Sequence, residues 1–213
     1  SKNEKELRGA TLSYDVYEIA LYSDDVTGRV ASGVASCGDA REGVVRTALE
    51  VPHPKAWSAE EPHRYVLVAK LLDKRGRILD CTSTYFGVRT VEIKEMTALE
   101  DEFGNAGRYF LVNGKPVKLK GVNRHETNPT TGHAITRQQM TEEVMLMKRA
   151  NINHVRLSHY PNHPYFYYLA DKYGLYLEDE ANIESHEYYY GEASLSHPVE
   201  WRDAHVARNM EMV

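Results

Sequence analysis

The sequence is poor in cysteine. Only Cys37 and Cys81 occur in 213 residues, too few for a disulfide scaffold, and they read as unpaired thiols in a β domain. Long apolar runs are absent: none approaches the roughly 18 residues needed to span a bilayer. The start, SKNEKELRG, has no signal-peptide core. Positive charge is not in excess either. With 26 Lys and Arg against 31 Asp and Glu the net charge is −5, which gives no electrostatic reason to expect nucleic acid or an anionic membrane as partner. Hydrophobic residues at 42% and charged residues at 27% are ordinary for a globular chain of one or two domains.

Phenylalanine is scarce too, four residues against 15 tyrosines. A tyrosine ring packs on apolar C–H faces while its hydroxyl reaches a partner, as in sugar-binding surfaces. Tyrosine is also a common strand residue, and that explains most of the count.

The chain has two halves with different periods. Residues 10–20, 30–37, 44–51, 65–72 and 78–86 are short runs rich in Val, Tyr, Thr and Leu, separated by turn signals such as Asp24-Asp25, Gly38-Asp39 and Lys74-Arg75-Gly76. Short strands at such spacing predict an antiparallel sandwich. Residues 70–78 predict a hairpin with Gly76 at the turn, and Trp57, between Pro54 and Pro62, caps one end of the core. A last strand runs through 87–94, and an acidic loop follows over 97–107. Asn113-Gly114 between two apolar runs, 109–112 and 117–120, is a strong hairpin signal. The domain boundary is placed near residue 95.

From residue 117 strands alternate with helices. A strand over 117–122 ends in Asn123-Arg124-His125-Glu126. Thr136 then caps a helix, Gln139 completes a capping box, and Ile135 can staple against Met140. Residues 153–158 and 175–179 are the next two strands. Pro164 and Gly174 bracket the helix between them, and Pro198 opens a third helix. Three β-α units in a row imply parallel pairing, in an open sheet or a barrel. No G-x-G-x-x-G follows the first of these strands, so a dinucleotide fold loses its main support. A complete barrel takes about 250 residues, so the 97 residues from 117 to 213 are less than half of one.

Polar residues gather where these strands end: Asn123, Arg124, His125 and Glu126, then His159 and Asn162, then Glu180, Asn182, Glu184 and His186. This edge is where parallel α/β folds build their sites, although polarity is also ordinary for loops. A metal site from His159, His163, Glu184 and His186 lacks the helical spacing of a strong zinc motif, and its carboxylates would suit magnesium better. Arg156 is in phase with Ser158 and faces away from the helices, where it needs a carboxylate partner.

Asn153-His-Val-Arg-Leu-Ser-His-Tyr-Pro161, followed by Asp171-Lys-Tyr-Gly174, resembles a signature of glycoside hydrolase family 2. Gly121-Val-Asn-Arg-His-Glu126 and Asp179-Glu-Ala-Asn-Ile-Glu184 resemble its β-galactosidase branch, and Trp57-Ser-Ala-Glu60 with Val88-Arg89 is similar to the domain that precedes the barrel. The resemblance covers nearly the whole chain. It departs from the family at Leu157, where a smaller residue is usual, at Glu178 in a normally apolar strand, and at Glu187, where glycine is common.

The resemblance implies an immunoglobulin-like β-sandwich over 1–95, then the first three β-α units of a TIM (β/α)8 barrel over 96–213. It also implies retaining hydrolysis of terminal β-D-galactosides by the parent enzyme, through two Glu residues that lie beyond the third unit. Glu126, Glu180 and Glu184 are therefore not the catalytic pair, and this chain alone is expected to be inactive. His125 and His159 match residues that hydrogen-bond the galactosyl hydroxyls. Asn123, Arg156 and Glu180 match residues at the base of the site, and Glu184 and His186 match two magnesium ligands. Sodium is a further ion of the parent, and a homo-oligomer is compatible with the family. A cytoplasmic and a periplasmic parent are both open. The alternatives are a carbohydrate-binding module without catalysis, or a β-glucuronidase or β-mannosidase of the same family.

Overall fold

The computed structural model describes residues 9–39, 44–101, 104–186, 191 and 194–213. Two compact units divide the chain, residues 1–117 and 118–213.

In the first unit, four antiparallel strands form one sheet in the order β2-β1-β3-β4: β1 (Thr11–Ile19), β2 (Val26–Ser36), β3 (Arg64–Leu72) and β4 (Ile78–Phe86). The predicted runs at 10–20, 30–37, 65–72 and 78–86 all lie on these strands. Tyr14, Val16 and Ile19 of β1 and Tyr65 and Val66 of β3 are buried. The β3–β4 turn is held by Asp73, whose side chain accepts the backbone N–H groups of Arg75 and Arg77. Gly76 sits there at φ +77°, a backbone conformation that suits glycine. Trp57 is buried, with the Arg89 guanidinium 4.7 Å from its ring centre. A second sheet in the order β5-β6-β7 contains β5 (Val91–Met96), β6 (Gly107–Val112) and β7 (Lys115–Pro116), with Asn113-Gly114 in the turn as expected.

Two predicted strands are not found. Residues 44–51 have only an isolated bridge at residue 44, since β propensity is decided by context rather than by composition. Residues 117–120 carry the alternation Val-Lys-Leu-Lys but lie outside the sheet. The side chain of Asn153 takes two of their backbone hydrogen bonds: its Oδ1 accepts from Lys120 N at 2.7 Å and its Nδ2 donates to the Lys118 carbonyl at 3.1 Å.

The second unit has a parallel sheet in the order β10-β9-β8: β8 (Gly121–Arg124), β9 (His154–Leu157) and β10 (Tyr176–Glu178). The helices are α1 (Arg137–Arg149), α2 (Pro164–Tyr173) and α3 (Arg202–Met212). The capping box of α1 forms as the sequence requires, with Thr136 accepting from Gln139 N and Gln139 reaching back to Thr136 N. Pro164 is in the first turn of α2, and Gly174 ends it in the left-handed region at φ 78°.

One core holds this unit together: Met140 and Val144 of α1, Val155 and Leu157 of β9, Phe166, Leu169 and Ala170 of α2, and Leu175. Leu157 is fully buried in it, so the large residue at that position fills helix-facing space. Gly121 pairs with His154 across the sheet, and a Cβ on it would lie 2.4 Å from the His154 ring, so only glycine fits. No helix among the described residues is long and apolar enough to cross a membrane.

Candidate functional site

Strand alternation sorts the second unit's residues onto two faces. Val155 and Leu157 pack against the helices, so Arg156 faces the other way. Register brings Asn123 of β8 and Glu178 of β10 level with Arg156. Glu178 is therefore on the face away from the helices, half open to solvent, with a carboxylate oxygen 3.8 Å from His154 Nε2. Ser158 is buried, and its hydroxyl has no hydrogen-bond partner among the described residues.

Arg156 finds its carboxylate within the chain. Its Nε donates to Glu180 Oε1, and its Nη1 is 3.4 Å from Asn123 Oδ1. The second Glu180 oxygen lies 2.8 Å from His159 Nδ1. An ionised carboxylate only accepts, so Nδ1 carries a proton, and Nε2 lies on the other side of the ring. Burial pushes the Glu180 carboxyl up, but the hydrogen bonds and charges of His159 and Arg156 outweigh it and hold the group below its ordinary range.

The His125 ring stands edge-on to His159, with centres 5.2 Å apart, and the Tyr160 ring centre is 6.2 Å from that of His125. Five of the singled-out residues, Asn123, His125, Arg156, His159 and Glu180, thus come together at the strand ends. Beside them is a cavity of about 380 Å³ lined in part by Arg156, His159, Asp179, Glu180 and Glu184.

The other acidic candidates have other partners. Both oxygens of Glu126 accept from the backbone N–H of His163, at 2.9 and 3.2 Å, which puts a carboxylate at the N-terminus of α2. Glu184 Oε1 accepts from His186 N at 2.7 Å and lies 3.7 Å from His186 Nδ1. A carboxylate and an imidazole side by side have the donor chemistry for part of a cation site. They are an incomplete set, because a hard divalent ion takes about six ligands. Among the described residues, no group of three or more His, Cys, Asp or Glu could hold a metal ion. His163 caps α2 through its Nδ1, and Glu187 lies outside the described residues.

Sequence reasoning missed the support behind the site. Arg124 is buried on the helix side. It pairs with Glu143 at 2.8 Å, donates to Asn162 Oδ1 and lies over the Phe166 ring at 4.1 Å. Tyr167 donates to Asp179 Oδ2 at 2.6 Å. The available signal was a tyrosine, Tyr167, next to the apolar face of α2.

Family models match both parts of the chain: glycosyl hydrolases family 2 over residues 6–89, and the family 2 TIM barrel domain over residues 105–213. Among curated proteins, β-galactosidases from Alteromonas mediterranea and Vibrio vulnificus are each 43% identical, over 81% and 83% of this chain and 15% and 16% of their own lengths. The chain thus spans about 15% of such relatives. Among solved structures, a β-glucuronidase from Bifidobacterium dentium is similar with a TM-score of 0.62 and 28% identity, covering 81% of this chain and 25% of that one. The FMN-binding β-glucuronidase of Facaelibacterium prausnitzii gives a TM-score of 0.64 and 25% identity over 79% of this chain and 23% of its own. With an immunoglobulin-like β-sandwich followed by the start of a TIM barrel, the chain belongs to glycosyl hydrolase family 2, on the side of its β-galactosidases.

Proposed function

We propose that this chain is part of a retaining β-galactosidase and supplies the sugar-binding floor of its site, while the two catalytic carboxylates come from outside these residues. The observation that carries the reading is the cluster of His125, His159, Arg156, Asn123 and Glu180 at the strand ends. His159 has its Nδ1 on Glu180, which leaves Nε2 for one hydroxyl, and the His125 ring 5.2 Å away can meet a second. A uronic acid would call for a cation to meet its carboxylate. Arg156 is already engaged by Glu180, which favours a neutral sugar over a glucuronide.

The chemistry of Glu180 also supports a positioning role. A general acid needs a raised pKa, and retaining hydrolysis uses two carboxyl groups about 5 Å apart. Glu180 is held ionised and is committed to Arg156 and His159. In this reading it keeps His159 upright with Nε2 toward the sugar, and Arg156 and Asn123 brace it from below. Glu184 and His186 are two ligands of a magnesium site completed by other residues. Magnesium there would add positive charge beside the reacting sugar, and a sodium ion and a homo-oligomer belong to the same proposal.

The test is hydrolysis of a chromogenic β-galactoside by the full-length protein that carries this chain. A His159→Ala, Arg156→Ala variant and residues 1–213 alone are assayed beside it. Turnover is expected in the full-length protein and is expected to fall about 100-fold or more in the variant, as when a transition-state donor is removed. Residues 1–213 alone are expected to be inactive. If they hydrolyse the substrate and the variant does not, the carboxylates lie in this chain and the reading fails. Preference for a β-glucuronide over a β-galactoside would overturn the choice of sugar.

A further inference from the structure

The residues that face the cavity leave one partly buried polar chain unexplained. It begins at Glu143 of α1, passes to Arg124 at the end of β8, and from Arg124 to Asn162 in the loop after β9. The backbone N–H of Asn162 donates to the Tyr167 hydroxyl at 3.0 Å, and that hydroxyl donates to Asp179 Oδ2 at 2.6 Å. Asp179 Oδ1 accepts the backbone N–H of Glu180 at 3.0 Å. All three β-α units contribute, and the chain ends at the carboxylate that holds His159 and Arg156.

We propose that Tyr167 is a positioning residue: through Asp179 it fixes Glu180, and through Glu180 it fixes the His159 ring and the Arg156 guanidinium. The proposal rests on the glycosidase reading above.

Two physical arguments support it. The Tyr167 hydroxyl is fully used, accepting from one side of the site's support and donating to the other, so it joins α2 to the end of β10. Burial and the Asp179 carboxylate push its phenol up to about 12, so it remains a donor at any pH at which the protein would be assayed. Asp179 also lines the same cavity as Arg156 and His159. Without a donor on Oδ2 its carboxylate is free to turn and compete with Glu180 for Arg156. Tyr167 thus does two things: it orients the Glu180 backbone, and it keeps a second carboxylate away from the guanidinium.

Phenylalanine at 167 keeps the ring and removes only the hydroxyl. The test is Tyr167→Phe and His159→Ala, singly and together, in the full-length protein with a chromogenic β-galactoside, together with a crystal structure of Tyr167→Phe. The single Tyr167→Phe change is expected to lower kcat/KM about tenfold, the lower end of what loss of an orienting partner costs at metal-ligand histidines. In the His159→Ala background it is expected to change kcat/KM by about twofold or less, because a residue acting through His159 has nothing left to act on. The crystal structure is expected to show Glu180 withdrawn from His159 Nδ1. Equal losses in both backgrounds, or a lower melting temperature with kcat/KM unchanged, would overturn the proposal. If the wild-type protein hydrolyses no β-galactoside, the glycosidase reading falls separately, and the crystal structure decides: Glu180 in place overturns the positioning role, and Glu180 displaced supports it.

Discussion

Removing the two partners of the Arg124–Glu143 pair one at a time should not cost the same. The Arg124 side chain is 3% exposed and that of Glu143 is 36% exposed. Glu143→Ala strands a buried cation with Asn162 and the Phe166 ring as its partners among the described residues. Breaking a fully buried pair in this way costs about 3–5 kcal/mol. Water can reach the vacated carboxylate position, which lowers the expected cost to about 2–3 kcal/mol. Arg124→Met keeps an apolar stem over Phe166 and returns Glu143 to solvent. Its main loss is the hydrogen bond to Asn162, about 1–1.5 kcal/mol. Amide hydrogen exchange of peptides from α1, β8 and β9 reads local opening free energies and can rank the two variants without unfolding the whole protein. A larger loss of protection in Arg124→Met than in Glu143→Ala would refute the reasoning, because it would mean that solvent does not serve Glu143.

Leu157→Ala empties a fully buried site in the helix-facing core and should cost about 2–5 kcal/mol, whereas Ile93→Ala, at a side chain 75% exposed, should stay within about 0.5 kcal/mol. Thermal unfolding of both variants checks this, and comparable losses would contradict the assigned core. The depressed Glu180 carboxyl makes a pH prediction. Its ionised form contributes stability that is fully present above the ordinary carboxylate range and is lost as pH falls through the lower folded value. Glu180→Gln should therefore flatten the acid side of the stability curve, and a curve of unchanged shape would count against the ion pair.

Much of this was legible in the sequence because the signals are local. The bounds of β4, the capping box at Thr136 and Gln139, and the stop at Gly174 each depend on residues within a few positions of one another. The inward phase of Arg156 followed from alternation. What was not legible depended on partners far along the chain. Residues 117–120 have a strand pattern, but an amide 33 positions from Lys120 takes its hydrogen bond. Residues 44–51 have the composition of a strand, but among the described residues no ladder forms along them. Arg124 read as part of the polar cluster, yet register turns it to the helix side, where its partner Glu143 is 19 positions away. Nothing in the sequence marks Tyr167 and Asp179 as a pair, because they meet only when α2 lies over the end of β10.

The Asn153 amide has a consequence for folding fidelity. A β8 that slipped by one residue would exchange its two faces, turning Asn123 toward the helices and Arg124 onto the face that carries Arg156. Such a strand could still pair, since parallel strands have no tight turn to set their alignment. The two hydrogen bonds from Asn153 to residues 118 and 120 act as a clasp just upstream of β8, and a slipped strand would have to give up both. Fidelity at the C-terminal end of the sheet is thus enforced at the opposite end. Chemical ageing can reach it there: deamidation of Asn153 would replace the donor that holds the Lys118 carbonyl with a second acceptor.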